Sequence, residues 1–256
     1  MHDPYSEKPW IKFYDRHVPP TLTYPDKSFI DMFADTVKAV PERTLVHYMG
    51  TDITFQKLDE LSNRFAGFLK SKGLKPGEVV GVNLPNLPAY YIAIIGILRA
   101  GCVLSGVSPL LTEKEMVYQL NDSGAKVLLT LDLLAEKAAG AIKKTGVSTM
   151  VVVEIADFLP AIKKTLGKLL KKIPTGPVPP VPGREVLRFM DILKSMPATP
   201  VSERLSMDAP CLMQYTGGTT GPSKGAVLTH WNMSRHIYQF GVWTDFKTGE
   251  NKVISA

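Results

Sequence analysis

Apolar and polar positions alternate at two spacings along the chain. Phe29, Met32, Phe33, Thr36 and Val37 recur at three- and four-residue steps after Ser28, which predicts a helix with Ser28 as its N-cap. Residues 44–49 are expected as a strand and residues 50–52 as a turn. Thr54 is then a candidate cap for a helix carrying Leu58, Leu61, Phe65, Phe68 and Leu69, stopped by Gly73 and Pro76-Gly77. Residues 78–84 form a short apolar run without clear alternation, the pattern of a strand covered on both faces. Pro88 opens a helix through Tyr91, Ile94, Ile95 and Leu98 that Gly101 ends. Strands follow at 102–104, 126–130 and 149–154, separated by helices at 112–120 and 133–144. Glu113 and Glu115 suit the positive end of the first of these helices. Such strand–helix alternation predicts an α/β fold with a mainly parallel sheet flanked by helices.

The segment 156–173 breaks this rhythm. Phe158, Leu159, Ile162, Leu166, Leu169, Leu170 and Ile173 fall at helical steps, and Lys163, Lys164, Lys168, Lys171 and Lys172 fill the other face, against one acid, Asp157. Two readings fit a basic amphipathic helix of this kind. It lies on an anionic membrane surface, or it packs its apolar stripe on the domain and leaves the lysines in water.

Residues 174–183 hold five prolines and two glycines, a composition that gives a stiff, extended connector. The expected organisation is therefore an α/β subdomain at 1–173 with an extended arm to about residue 27, a Pro-rich linker at 174–184, and the start of a second subdomain at 185–256. In that last part, 189–193 suggests a short helix, and 211–215 and 226–229 read as paired strands.

Composition narrows the class. The chain has 256 residues, 45% of them hydrophobic and 21% charged, as in a globular protein with a sizeable core. Cys102 and Cys211 are the two cysteines and show no metal-ligand spacing, so neither a disulfide framework nor a zinc site is expected. The first residues lack the charged start and apolar run of a secretion signal, and the longest apolar stretch, 87–98, is too short to cross a bilayer. A cytoplasmic location, with peripheral contact at the inner membrane surface through 156–173, is the expectation. The net charge of +6 comes without an arginine-rich arm or nucleic-acid motif, so nucleic acid is not an expected partner.

The chemistry concentrates in Tyr215-Thr-Gly-Gly-Thr-Thr-Gly-Pro-Ser-Lys-Gly225. Glycines let a ligand approach the backbone N–H groups, and threonine hydroxyls and a lysine ammonium bind phosphate oxygens. Lys224 follows Ser223 and precedes Gly225, which rules out the Walker A order, and adjacent Gly217 and Gly218 break the G-x-G-x-x-G spacing. A Gly/Thr-rich hairpin without a ligand is the plain alternative. A loop of this length between paired strands favours function.

These residues resemble the adenylate-forming superfamily: acyl-CoA ligases, firefly-type luciferases and peptide-synthetase adenylation domains. Its signature, T-[SG]-G-T-T-G-x-P-K-G followed by T-H-x-N, is matched by residues 216–225 and by Thr229-His-Trp-Asn232. Pro222-Ser223 departs from it, with the proline one place early and Lys224 still in register. The flavour at Gln214, Tyr215 and Gly217 is similar to medium- and long-chain fatty acyl-CoA ligases. The likeness extends upstream through Ile53–Leu58, Asn63-Arg-Phe-Ala66, residues 77–86, Leu98-Arg-Ala-Gly101 and Ser108-Pro109.

The resemblance implies a carboxylic acid joined to ATP, release of pyrophosphate, and acyl transfer to CoA. Thr216, Gly217, Gly218, Thr219, Thr220, Gly221, Ser223, Lys224 and Gly225 would surround the ATP phosphates, with Thr219 and Thr220 giving hydroxyls and Lys224 a positive charge. A solvated loop lysine is the plain alternative for Lys224, and a simple helix-start residue for His230. Fatty acid, ATP and CoA are the implied substrates, with Mg²⁺ in the whole protein, and a homodimer is compatible with this reading. The family's adenine, ribose, Mg²⁺ and hinge motifs lie later than Asn232. The chain therefore reads as the incomplete N-terminal part of an acyl-CoA ligase-like fold roughly twice as long, inactive alone. Adenylation of an aryl, amino or short-chain acid, or a non-catalytic nucleotide or lipid-surface binding module, remains an alternative.

Overall fold

The computed structural model describes residues 4–170, 172–201, 203–217, 221–247, 249–250 and 253. A helical turn, α1 (Pro4–Glu7), and an irregular arm lead into α2 (Phe29–Ala39). Ser28 caps α2 in a reciprocal box with Asp31. A hairpin follows, β1 (Thr44–Tyr48) and β2 (Thr51–Thr54). The expected turn at 50–52 is thus tighter than read, because Thr51 and Asp52 already pair with Tyr48 and His47. The reversal falls at Met49 and Gly50, both at positive φ.

The main body is an alternating series. It runs α3 (Phe55–Ser71), β3 (Val79–Asn83), α4 (Pro88–Arg99), β4 (Val103–Gly106), α5 (Glu113–Ser123), β5 (Val127–Leu131), α6 (Ala135–Ile142) and β6 (Thr149–Val153). Then come α7 (Ala161–Leu169), β7 (Glu185–Arg188), α8 (Phe189–Ser195), β8 (Pro210–Thr216), β9 (Lys224–Thr229) and α9 (His230–Trp243). Strands β3 to β9 form one sheet in the order β7-β6-β5-β3-β4-β8-β9. Every neighbouring pair is parallel except β8 and β9. The fold is α/β with a mainly parallel sheet, as the alternation predicts. The strands on either side of the Pro-rich segment, β6 and β7, are sheet neighbours.

Both faces of the sheet are covered. Val80, Val82, Leu104, Leu129 and Val151 pack with Phe65, Leu69, Ile92 and Phe189. Val79, Leu128, Met150 and Val152 pack on the opposite side with Met116, Leu120 and Ile142. Successive strand residues point to opposite faces, so a continuously apolar strand such as β3 is what a two-sided burial requires. Gly81 in β3 lets α5 lie close, since a Cβ there would meet Leu120 Cδ2 at 3.2 Å. At the carboxyl end of β3, buried Asn83 donates to Val107 O at 2.9 Å and accepts from Thr130 Oγ1 at 3.0 Å. These bonds tie β3 to both its neighbours where the strand order reverses.

The segment 156–173 is not one helix. Ile155–Phe158 forms a 3-10 turn, Leu159 is extended, and α7 begins only after Pro160. Proline disfavours helical backbone in the residue before it, which separates the two pieces.

Candidate functional site

Strand β8 runs parallel to β4, so Thr216 lies at the carboxyl edge of the sheet. Ligands of open α/β sheets bind outside that edge. Thr216 pairs with Lys224 and Tyr215 with Gly225, and the hairpin closes the base of the Gly/Thr-rich loop. The Thr216 hydroxyl also donates to Lys224 O at 3.5 Å. Gly218, Thr219 and Thr220 lie outside the described residues. The structure brings Thr216, Gly217, Gly221, Ser223, Lys224 and Gly225 to the two rims of one loop.

The glycines divide by environment. Among the described residues a Cβ on Gly217 or Gly221 would meet nothing within 4 Å, whereas one on Gly225 would meet Tyr215 Cζ at 3.1 Å and Met213 Cγ at 3.2 Å. Gly225 is therefore a packing requirement of the hairpin. Gly217 and Gly221 leave their peptide groups open to approach. Lys224 and Thr216 are exposed and Ser223 is half-buried.

Helix α5 holds the loop's stem. Tyr118 Oη donates to Ser223 O at 3.0 Å, and Gln119 Nε2 donates to Ser223 Oγ at 3.4 Å. Tyr215 Oη donates to Asp122 Oδ2 at 2.6 Å. Burial, and after it the hydrogen bond to Asp122, push the Tyr215 phenol well above its usual range, so it stays a donor at physiological pH. Sequence reasoning missed Tyr118, Gln119 and Asp122. Tyr118 and Asp122 are exposed positions of an amphipathic helix and read as solvent-facing, while Gln119 is a polar residue on its buried side, beside Met116, Leu120 and Ser123. The Oε1 atom of Gln119 is buried without a partner among the described residues.

The Thr229-His-Trp-Asn232 segment is a helix start. Thr229 N donates to Asn232 Oδ1 at 2.9 Å and Asn232 N donates to Thr229 Oγ1 at 3.3 Å, a reciprocal cap for α9. His230 begins that helix at 3% exposure, with neither ring nitrogen hydrogen-bonded. Burial lowers its pKa, opposed by the charge of Asp31. Among the described residues no carboxylate or nucleophile joins it in a hydrogen bond, the pairing that would mark a base for nucleophilic attack.

The sequence matches the AMP-binding enzyme family over residues 33–256. The chain belongs to that family. Among AMP-binding enzymes it is 35% identical over 237 residues to the long-chain-fatty-acid–CoA ligase of Escherichia coli O157:H7, a match covering 91% of this chain and 42% of the relative. It is 32% identical over 260 residues to the ligase of the same description from Bacillus subtilis, covering 97% and 45%. A solved long-chain-fatty-acid-CoA ligase (FadD1) from Archaeoglobus fulgidus superposes with a TM-score of 0.71 at 25% identity, covering 91% of this chain and 43% of that one. The chain thus spans less than half the length of these AMP-binding relatives. The resemblance drawn from residues 216–225 and 229–232 is to this same family.

Proposed function

We propose that the protein carrying this chain is an ATP-dependent long-chain fatty acid–CoA ligase, and that residues 216–225 grip the ATP phosphates. The observation that carries the reading is the loop itself. It leaves the sheet at the carboxyl edge between Thr216 and Lys224, braced by α5, in a chain of the AMP-binding enzyme family. The names of the relatives supply the acid class and the thiol acceptor.

In this reading a fatty carboxylate oxygen attacks the α-phosphorus of ATP and pyrophosphate leaves. The CoA sulfur then attacks the acyl carbonyl and AMP leaves. The role of this chain falls in the first step. Negative charge grows on the departing phosphates, and preorganised donors aimed at it lower the barrier. Lys224 supplies a full positive charge. The hydroxyls of Thr216, Thr219, Thr220 and Ser223, and the peptide N–H groups of Gly217, Gly218 and Gly221, supply hydrogen bonds. Gly225 keeps the returning strand against Tyr215.

Mg²⁺, which would screen the phosphates, finds no cluster of three or more His, Cys, Asp or Glu side chains among the described residues. Because the relatives are more than twice as long as the matched region, residues 1–256 alone are expected to be inactive.

Among the described residues no helix is long and apolar enough to cross a membrane. A cytoplasmic enzyme with peripheral membrane contact through 156–173 belongs to the same reading. The test is thioester formation by the full-length protein with ATP, Mg²⁺, CoA and acids of graded length. Long-chain acyl-CoA is the expected product. Turnover confined to aryl, amino or short-chain acids, or no turnover at all, would overturn the proposal.

A further inference from the structure

Helix α7 sits on the body with its polar side inward. Lys164 Nζ lies 3.4 Å from Asp157 Oδ1 and 4.0 Å from Glu154 Oε2. Lys163 Nζ donates to the carbonyl of Met49, at the tip of the β1–β2 hairpin, at 3.4 Å. The apolar residues Ile162, Leu166, Leu169 and Leu170 recur at i, i+4, i+7 and i+8, which places them on one helical face. That face is turned to solvent: they are 78%, 54%, 76% and 55% exposed. Met49, beside Lys163, is also exposed. A helix that stabilises a domain by packing buries its apolar stripe, and α7 does the reverse.

We infer that α7 is a docking surface for an anionic lipid bilayer, with Ile162, Leu166, Leu169 and Leu170 entering the headgroup–acyl boundary. Two features select this occupant. Apolar side chains on a helix beside a dense set of lysines match the amphipathic helices that lie in a membrane interface. Lys163 and Lys164 are taken up by the body, and residues 165–173 add Lys168, Lys171 and Lys172 with no acid. That charge complements acidic phospholipid headgroups and opposes a second copy of the same helix. Short reach also fits. Lys172 N donates to Gly167 O at 2.9 Å, and the Pro-rich segment follows at once, so α7 is too short to span and lies on the surface. The inference rests on the peripheral contact proposed above and deepens it by naming the side chains and the lipid charge, and it concerns a different element from the Gly/Thr-rich loop.

The test is co-sedimentation of the full-length protein with vesicles of phosphatidylglycerol and phosphatidylcholine, or of phosphatidylcholine alone. Wild type should bind the anionic vesicles at least about tenfold more tightly than the neutral ones, and high salt should remove most of that difference. The triple variant Ile162→Ser, Leu166→Ser, Leu169→Ser should bind anionic vesicles roughly 100-fold more weakly. Its thermal midpoint should stay at the wild-type value, since the replaced side chains are exposed. Replacing Lys168, Lys171 and Lys172 with glutamine should weaken binding to anionic vesicles and leave the weak binding to neutral ones as it was. Undiminished binding by the triple variant, equal wild-type binding to both vesicle types, or a change in self-association in place of vesicle binding would overturn the inference. ATP–pyrophosphate exchange in detergent-free solution reads the ligase function separately and should be unaffected by these variants.

Discussion

The phenol of Tyr215 donates to the carboxylate of Asp122 at 2.6 Å, joining the strand that enters the Gly/Thr-rich loop to helix α5. Tyr118 and Gln119 bind Ser223 on the returning rim from the same helix. One rigid element therefore sets the position of both rims. Tyr215→Phe should lower stability by about 1 kcal/mol, the usual worth of one hydrogen bond. It should raise the KM for ATP more than it lowers kcat. Asp122→Asn keeps an acceptor and should be milder. Thermal unfolding together with steady-state kinetics on the full-length protein checks both, and equal effects of the two substitutions would remove the bond from the account.

The glycines of the loop should separate by what surrounds them. Gly225→Ala would push a methyl against Tyr215 Cζ and Met213 Cγ. A loss of about 1–3 kcal/mol is expected, the range for overpacking. Gly217→Ala meets nothing within 4 Å among the described residues and should unfold at the wild-type temperature. Any rise in its KM for ATP then reports on approach to the phosphates. Denaturant midpoints for the two variants measure the contrast directly.

His230 should make the fold acid-sensitive. Its folded pKa lies below the ordinary value of 6.5, because burial disfavours the imidazolium more than Asp31 favours it. The unfolded chain therefore binds the proton first. Stability contributed by the neutral ring is complete above pH 6.5 and declines as pH falls from there toward the folded pKa. Urea unfolding at pH 8 and pH 5.5 should show a drop that His230→Gln reduces. A variant with the same pH dependence as wild type would assign the drop to other groups.

Residues 1–256, prepared alone, should release no acyl-CoA from ATP, Mg²⁺, CoA and a fatty acid. In the proposed reading this chain supplies one wall of the phosphate site, and its match covers 42% of the Escherichia coli relative. A thiol-depletion assay settles the point, and measurable turnover would show that the matched region suffices.

Much of the fold was legible in the sequence because its signals are local. The buried run at β3, the caps at Ser28 and Thr54, and Gly101 after α4 each act within a few residues. What escaped had a local competitor or a distant partner. Strand β2 was hidden because Gly50-Thr-Asp52 has turn chemistry, yet pairing with β1 carries Thr51 into a strand. Strand β7 spans Glu185–Arg188 at the sheet's edge, exposed at both ends and half-buried between them, too short for a period to show. The helix over 156–173 was read through Pro160, whose backbone effect outweighs the apolar period. In the candidate site, the loop was legible from its glycines, threonines and lysine. Its supports were not, since Tyr118 and Ser223 are 105 residues apart. The apolar stripe of α7 was also visible, but the direction it faces depends on Lys163 and Lys164 finding Met49, Asp157 and Glu154.

The central claim is that Lys224 and the loop it closes stabilise pyrophosphate departure in a fatty-acid-adenylating enzyme. ATP–pyrophosphate exchange by the full-length protein, with a long-chain fatty acid, tests this most directly when wild type is compared with Lys224→Ala. Lys224 is exposed, so the variant should fold as wild type does. Its exchange rate should fall about 100-fold, the scale for losing one charge-stabilising donor. Exchange that persists undiminished in Lys224→Ala, or that never depends on the fatty acid, would contradict the account.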